Sequence, residues 1–462
     1  MTRVVIIGGG PGGYEAALVG AQLGAEVTIV DRDGIGGSAV LTDCVPSKTL
    51  VATSELMTSV QESGELGVRL AGQPPDAGHS ASVDLAVVNE RVRKLAAQQS
   101  ADITRRLDQE DVRIIRGTGR LDGPDTVVAA TADSEVRLEA DAVLVATGAH
   151  PRVLPSAEPD GERILTWEQV YDVDELPARL VVIGSGVTGA EFASAYNALG
   201  VDVVLVSSRD RVLPGEDAQA AEVLEDVLKR RGMTVLGRSR AADVVREGDS
   251  VAVTLTDGSS VEGSHCLLAV GSIPNTAGLG LEEAGVTLGD GGFVTVDRVS
   301  RTTGRGVYAA GDCTGVLMLA SVAAMQGRIA MWHALGDAVS PLDLNTVSST
   351  VFTSPEIATV GYSQQAVDAG VIEANQQMLP LAGNARAKMQ GVHDGFVKLF
   401  CRPGTGIVVG GVVVAPRASE LIHAVSLSVE ASLTVDELAH AFTVYPSMSG
   451  SIAEAARRLH TR

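Results

Sequence analysis

The sequence is poor in aromatic side chains, with six Phe, six Tyr and two Trp in 462 residues. With so few flat rings, stacking of nucleobases on protein side chains is not an expected activity. Basic residues are also in the minority. Lys and Arg number 36 against 57 Asp and Glu, a net charge of −21. That balance argues against holding nucleic acid or an anionic membrane through a general positive field, although it leaves room for a local basic pocket around one phosphate. Cysteine is scarce: Cys44, Cys266, Cys313 and Cys401 stand singly, with neither a CxxC pair nor zinc spacing. No metal is therefore expected, and a reducing cytoplasm is the expected home. No apolar run approaches the roughly 18 residues that cross a bilayer. The apolar run Val4-Val5-Ile6-Ile7 follows Met1-Thr2-Arg3 at once, so neither a signal peptide nor integral membrane association is expected.

What the chain has in quantity is glycine, 52 residues with no three-residue period. This excludes collagen and fits many tight turns. The length implies two or three domains.

The first segment reads as strand, turn, helix, strand. Val4–Ile7 is a short β-branched run; Gly8-Gly9-Gly10-Pro11-Gly12-Gly13 follows, then a helix over 14–23, a strand over 26–30, and Asp31. In that order the glycines form a tight turn, admit a pyrophosphate to the backbone and let helix pack on strand. The helix N-terminus offers free N–H groups to the diphosphate, and Asp31 stands where a carboxylate accepts from an adenosine ribose. The pattern returns at Leu180–Ile183 with Gly184-Ser185-Gly186-Val187-Thr188-Gly189, a helix over 190–199 and a strand over 201–206. Two dinucleotides in one chain suggest electron transfer between them.

The second unit ends differently. Ser207-Ser208-Arg209-Asp210-Arg211 follows its second strand. No carboxylate stands at the strand end to repel a 2′-phosphate, and Arg209 is placed to pair with one. The unit thus reads as NADPH-competent and tolerant of NADH; alternatively both arginines are ordinary solvated charges.

Further strands ending in tight turns are expected over 142–148, 266–271 and 306–312, and a helix over 319–331. Beyond about residue 343 the pattern changes to strands (347–353, 408–415) and helices (420–431, 449–459), an α+β arrangement. Residues 71–82, with Gly72, Pro74, Pro75 and Gly78, read as a surface loop. The expected fold is α/β: two Rossmann-like dinucleotide-binding domains, over 1–150 with 279–342 and over 151–278, plus a C-terminal α+β domain over 343–462.

Taken together, this order resembles the flavoprotein disulfide reductases of the dihydrolipoamide dehydrogenase and glutathione reductase type. The stretch Gly36-Gly37-Ser38-Ala39-Val40-Leu41-Thr42-Asp43-Cys44-Val45-Pro46-Ser47-Lys48 resembles their redox segment, Gly-Gly-x-Cys-x4-Cys-x-Pro-Ser-Lys. The resemblance implies a homodimer whose terminal domain completes the partner's site. For FAD it implies Gly8, Gly10, Gly12, Gly13, Asp31, Lys48 beside the flavin N5, Gly119 at the adenine, Thr147 and Gly148, Asp312 at the ribityl chain, and Ala320 opening a helix toward the pyrimidine ring. For NADPH or NADH it implies Gly184, Gly186, Gly189, Glu191 as partner of Lys48, Ser207, Ser208, Arg209 and Gly271. The Lys48–Glu191 pair either positions the lysine for turnover or is a structural salt bridge.

Three departures from the family pattern fall in one catalytic unit. Ala39 replaces the first sulfur, Tyr445 in Tyr445-Pro446-Ser447 replaces the proton-carrying histidine, and Gly450 replaces the glutamate that orients it. A dithiol relay needs two sulfurs, because each exchange passes through a mixed disulfide that a second thiolate resolves. An unperturbed phenol, with a pKa near ~10, is a poor base at neutral pH. Cys44 then either donates charge to the flavin or is an inert small side chain. The expected activity is FAD-dependent NAD(P)H:quinone oxidoreduction, with a small diffusible oxidant meeting the flavin directly, and catalytic candidates Lys48, Glu191, Tyr445 and Cys44. The competing expectations are a single-cysteine peroxidase or persulfide reductase, a soluble pyridine-nucleotide transhydrogenase, and a binding role in a larger complex.

Overall fold

The computed structural model describes residues 1–69 and 81–460. The expected loop at 71–82 lies outside the described residues except for 81 and 82, which carry no regular structure. The chain divides into two compact units. One comprises Met1–Thr49, Asn89–Arg152 and Gly271–Asp343; the other comprises Leu50–Val88, Val153–Val270 and Leu344–Arg462.

In the first unit a five-stranded parallel sheet runs in the order Val307–Ala309, Ala142–Val145, Arg3–Ile7, Glu26–Asp31, Arg113–Arg116. Arg3–Ile7 is central, and its Val4, Val5, Ile6 and Ile7 are buried. A parallel sheet covered on both faces needs such continuous apolar strands, because neither face meets water. Helices Pro11–Gln22 and Ala320–Ala334 pack together on one side, around Ala16, Ala17, Ala330 and Met331. An antiparallel sheet of Thr118–Leu121, Thr126–Ala130 and Glu135–Glu139 packs Leu121, Val127 and Ala129 on the other.

The second unit repeats this plan. Its parallel sheet runs Thr234–Leu236, Asp202–Val206, Arg179–Ile183, His265–Leu268, Ile164–Thr166, with Arg179–Ile183 in the middle. An antiparallel sheet of Ala241–Glu247, Ser250–Leu255 and Ser260–Gly263 covers it through Val244, Val251, Val253 and Leu255. The same unit carries a five-stranded antiparallel sheet in the order Ser348–Val351, Glu356–Gly361, Val408–Ala415, Phe396–Cys401, Asn375–Pro380. Helices Ala418–Glu430 and Gly450–Leu459 close its core. The mixed α/β class with two dinucleotide-type folds and a terminal α+β sheet is therefore as expected.

Both glycine-loop helices begin three residues earlier than expected, at Pro11 and Val187. Glycine is a poor helix former, which is why the motif glycines read as loop. Pro11 instead occupies the first helical position, where its fixed φ is pre-organised and its missing N–H costs nothing. The last motif glycines are thereby drawn into the first helical turn. No described helix is long and apolar enough to cross a membrane.

Candidate functional site

The first glycine loop is held by close backbone approaches that only glycine permits. Gly8 has φ +107°, and a Cβ there would lie 2.3 Å from the Ala146 carbonyl oxygen. A Cβ on Gly13 would lie 1.9 Å from the Gly8 oxygen. Gly10 caps the helix with no side-chain hydrogen bond to its first turn. Pro11 carries no N–H and Gly13 donates to the Gly10 carbonyl at 2.8 Å, which leaves the Gly12 N–H to an anion, at the positive end of the helix dipole. This geometry fits a dinucleotide diphosphate.

Asp31 ends the second strand as expected, and it also organises the turn. Its Oδ2 accepts the Gly9 N–H at 2.7 Å, and its Oδ1 accepts from Asp33 at 3.0 Å and Gly34 at 2.5 Å. A carboxylate has about four acceptor positions, so one remains for a ribose hydroxyl. Gly119 is buried in the antiparallel sheet, where a Cβ would lie 2.9 Å from the Ile7 side chain. Only glycine lets that strand lie so close to the parallel sheet.

Thr147 and Gly148 form the turn after strand Ala142–Val145 and are clasped by Asn275. The Thr147 hydroxyl donates to the Asn275 carbonyl at 2.7 Å, the Asn275 amide side chain donates to the Thr147 carbonyl at 2.9 Å, and the Asn275 N–H donates to the Gly148 carbonyl at 3.0 Å. Asp312 follows strand Val307–Ala309. Burial, reinforced by the charge of Asp43, lifts its carboxyl from the usual 3.8 to about 6. Buried Gln326 accepts the Gly311 N–H at 2.9 Å, tying that turn to the helix that Ala320 opens. The helix has no side-chain cap at its start, so no capping side chain claims its first-turn N–H groups.

The redox segment breaks into two helices, Gly37–Leu41 and Cys44–Glu62. A Cβ on Gly37 would fall 2.7 Å from Gly10 Cα, so the segment lies directly on the first glycine loop. Ala39, Cys44 and Lys48 are half-buried on these helices. None of the four cysteines forms a disulfide among the described residues; Cys266, Cys313 and Cys401 are buried, and burial raises the pKa of each of these three thiols, Cys313 to about 11. Low-pKa thiolate character is what makes a cysteine reactive, so these three are poorly suited to exchange.

In the second unit Gly184, Gly186 and Gly189 repeat the first loop. A Cβ on Gly189 would sit 1.8 Å from the Gly184 oxygen. Glu191 is buried one turn into the following helix, and its Oε1 accepts the Phe352 N–H at 2.9 Å. Lys48 belongs to the first unit, and so does Gly271, its first residue after the second nucleotide fold.

Ser207 is fully buried rather than facing a ligand. Its hydroxyl meets Ser185 Oγ of the glycine loop at 2.7 Å and accepts the Arg209 N–H at 3.2 Å. Ser208 and Arg209 are exposed. Arg211 turns inward and donates to the carbonyls of Pro214 and Glu216 at 3.3 and 3.4 Å. It is a loop brace, not a solvated charge. Tyr445 is 86% exposed beside exposed Phe442 and Val444, on a segment pinned by Asn384, which donates to the Ser447 carbonyl at 3.0 Å.

Sequence reasoning missed three of these contributors. Asn275 stands outside every motif of the sequence, Phe352 contributes through its backbone alone, and Arg238 leaves no motif. Its backbone N–H donates to the Arg209 carbonyl.

Residues 2–327 match the pyridine nucleotide-disulphide oxidoreductase family, and residues 347–456 match that family's dimerisation domain. The chain is 57% identical to the NAD(P)H dehydrogenase (quinone) of Mycobacterium tuberculosis, over 99% of this chain and 94% of that protein. It is 31% identical to the dihydrolipoyl dehydrogenase of Geobacillus stearothermophilus, over 98% and 95%. The crystal structure of LpdA from Mycobacterium tuberculosis matches with a TM-score of 0.94 and 56% identity over the whole of both chains. The HOCl-induced flavoprotein disulfide reductase RclA of Escherichia coli matches with a TM-score of 0.86 at 22% identity over 99% of each chain, a likeness of fold alone.

Proposed function

The chain belongs to the pyridine nucleotide-disulphide oxidoreductase family, and within it we propose that it is an FAD-dependent NAD(P)H:quinone oxidoreductase rather than a disulfide reductase. The observation that carries this reading is the cysteine arrangement. Cys44 is the sole sulfur of the redox segment, and the other three cysteines are buried, so the chain has no second thiol to resolve a mixed disulfide. The similarity to the mycobacterial quinone enzyme supports the same reading.

FAD would be held by Gly8, Gly10, Gly12, Gly13, Asp31, Gly119, Thr147, Gly148, Asp312 and the helix opening at Ala320, within segments 1–150 and 279–342. Bound there, it would supply two-electron chemistry, accepting hydride from the nicotinamide and delivering electrons to a quinone. The chain's own residues orient and exclude. Lys48 would present a cation to the bound cofactor, and Glu191 would contribute a buried carboxylate to the second nucleotide fold. The uncapped start of helix Ala320–Ala334 favours negative charge near its N–H groups. Gly184, Gly186, Gly189, Ser208 and Arg209 would hold the nicotinamide dinucleotide, with Ser207 bracing the loop from beneath. Quinol protons come from water or from Tyr445 of a second copy.

The protein acts as a homodimer, through a terminal domain within 343–462. The match to a dimerisation domain and the exposed Phe442, Val444 and Tyr445 support this. Four cysteines without a disulfide among the described residues favour a cytoplasmic setting. A steady-state screen against quinones, lipoamide and glutathione disulfide, with NADPH and NADH in turn, tests the reading. Turnover is expected with quinones alone; efficient reduction of either disulfide overturns it.

A further inference from the structure

Loop 207–209 does not stand alone at the edge of the second parallel sheet. Three backbone bonds zip it to the turn that follows strand Thr234–Leu236. Ser207 N–H donates to the Leu236 carbonyl at 2.9 Å, Ser239 N–H to the Ser207 carbonyl at 2.8 Å, and Arg238 N–H to the Arg209 carbonyl at 2.6 Å. Gly237 allows the approach, since a Cβ there would already lie 3.1 Å from the Asp210 carbonyl oxygen. The result sets Arg238 next to Arg209 in space although 29 positions separate them in the chain. Both are exposed.

Two features distinguish Arg238 from an ordinary surface cation. It sits at φ +54°, in the left-handed region that a side chain other than Gly, Asn or Asp rarely adopts. Nothing in a bare turn requires arginine there, and a glycine would hold the same backbone without strain. Strained positions of this kind cluster where a side chain must be aimed at a ligand. Arg238 also stands at the carboxyl end of a strand whose neighbour is Asp202–Val206. In dinucleotide folds the end of that neighbouring strand is where the adenosine 2′ position is read. Arg211, by contrast, is consumed by the Pro214 and Glu216 carbonyls. With Arg209, Arg238 and Arg240 against Asp210, the edge remains positive.

We infer that Arg238 acts with Arg209 as a two-sided clamp for the 2′-phosphate of NADPH, and so sets the preference of this chain for NADPH over NADH. The inference rests on the reading of the second fold as a nicotinamide-dinucleotide site. Two guanidinium groups on separate loops enclose a phosphate dianion from two directions and offer planar donor forks to its oxygens. Buried Ser207 keeps the two loops in register beneath them.

The test is calorimetric titration of the FAD-loaded protein with adenosine 2′,5′-bisphosphate and with 5′-AMP, which differ only in the 2′-phosphate. Arg238→Gly removes the charge while suiting the left-handed backbone, so loss of fold does not cloud the result. Arg209→Ala and the double variant complete a cycle. The wild type is expected to bind the bisphosphate more tightly than AMP. Arg238→Gly should weaken bisphosphate binding about tenfold while leaving AMP unchanged, with Arg238→Lys intermediate. If the wild type binds both probes equally, or Arg238→Gly keeps the full preference, the clamp is wrong while the nucleotide site stands. If the wild type binds neither probe, the nucleotide reading of the second fold falls, and the clamp with it.

Discussion

Lys398 Nζ donates to Asp217 Oδ2 at 2.7 Å, with the two side chains only 1% and 2% exposed. The other oxygen of Asp217 caps helix Ala218–Arg230 by accepting from Gln219 and Ala220. Lys398 lies on strand Phe396–Cys401 with the rings of Phe396 and Phe400 at 5.6 and 6.0 Å. One buried ion pair thus joins the nucleotide-type fold to the terminal sheet. Breaking such a pair strands a charge away from water, at a cost of about 3 kcal/mol or more. Lys398→Met is expected to lower the unfolding free energy by that amount, and Lys398→Met with Asp217→Asn is expected to recover much of it, both read by urea denaturation at unchanged m.

Glu191 makes a second link, to the Phe352 N–H. Glu191→Gln keeps an acceptor there and loses the charge; Glu191→Ala loses both. Stability should be nearly unchanged in the first and about 1–2 kcal/mol lower in the second. Flavin reduction by NADPH, followed in a stopped-flow instrument, should slow in both, because both lose the Glu191 charge. An undiminished rate in Glu191→Gln would assign the residue to architecture alone.

Much of this was legible beforehand, and the boundary between what was and what was not has a physical basis. Strands such as Arg3–Ile7 and Arg179–Ile183 announce themselves because sheets buried on both faces need continuous β-branched runs. The glycine loops are legible because close backbone approach admits no other residue, as the 1.9 Å and 1.8 Å Cβ contacts of Gly13 and Gly189 make plain. Contacts made through the backbone carry no residue signature, so Phe352 was invisible. Asp31 and Ser207 were read from strand position as ligand-facing. Strand position says where a side chain starts, not which hydrogen bonds claim it, and both are engaged by their own loops. Arg238 and Lys398 escaped because their partners lie far along the chain.

Asp312 supplies a pH signature. Its carboxyl is raised to about 6 by burial and by Asp43. Between the unfolded value of 3.8 and about 6 the native state therefore binds more protons than the unfolded chain. Its contribution to stability falls as pH rises through that window and is flat above it. Ribityl hydroxyls donating to Asp312 favour the charged form, so FAD affinity should rise with pH up to about 6 and then level off. Equilibrium dialysis of FAD across pH 5 to 8 (roughly the range of native retention) should show this slope in the wild type and lose it in Asp312→Asn.

Restoring one sulfur should not restore disulfide chemistry. Ala39→Cys returns the pair of thiols but leaves Tyr445 without the basicity of an imidazole. Gly450 has room for a larger side chain, the nearest groups to a Cβ being Ser447 Oγ at 3.6 Å and Thr443 Oγ1 at 3.9 Å. Lipoamide reduction is therefore expected to stay at background in Ala39→Cys and to become measurable only when Tyr445→His and Gly450→Glu are added. Robust activity in the single variant would show that the base and its orienting acid were dispensable.

The most direct test is anaerobic double-mixing of the FAD-loaded protein, first with NADPH and then with a soluble quinone, in the wild type and in Cys44→Ser. Bleaching of the flavin by NADPH and its recovery by quinone at or above the turnover rate, equally in both proteins, is the expected result. Flavin that NADPH leaves oxidised, or recovery that disappears with Cys44, would contradict direct electron transfer to a quinone.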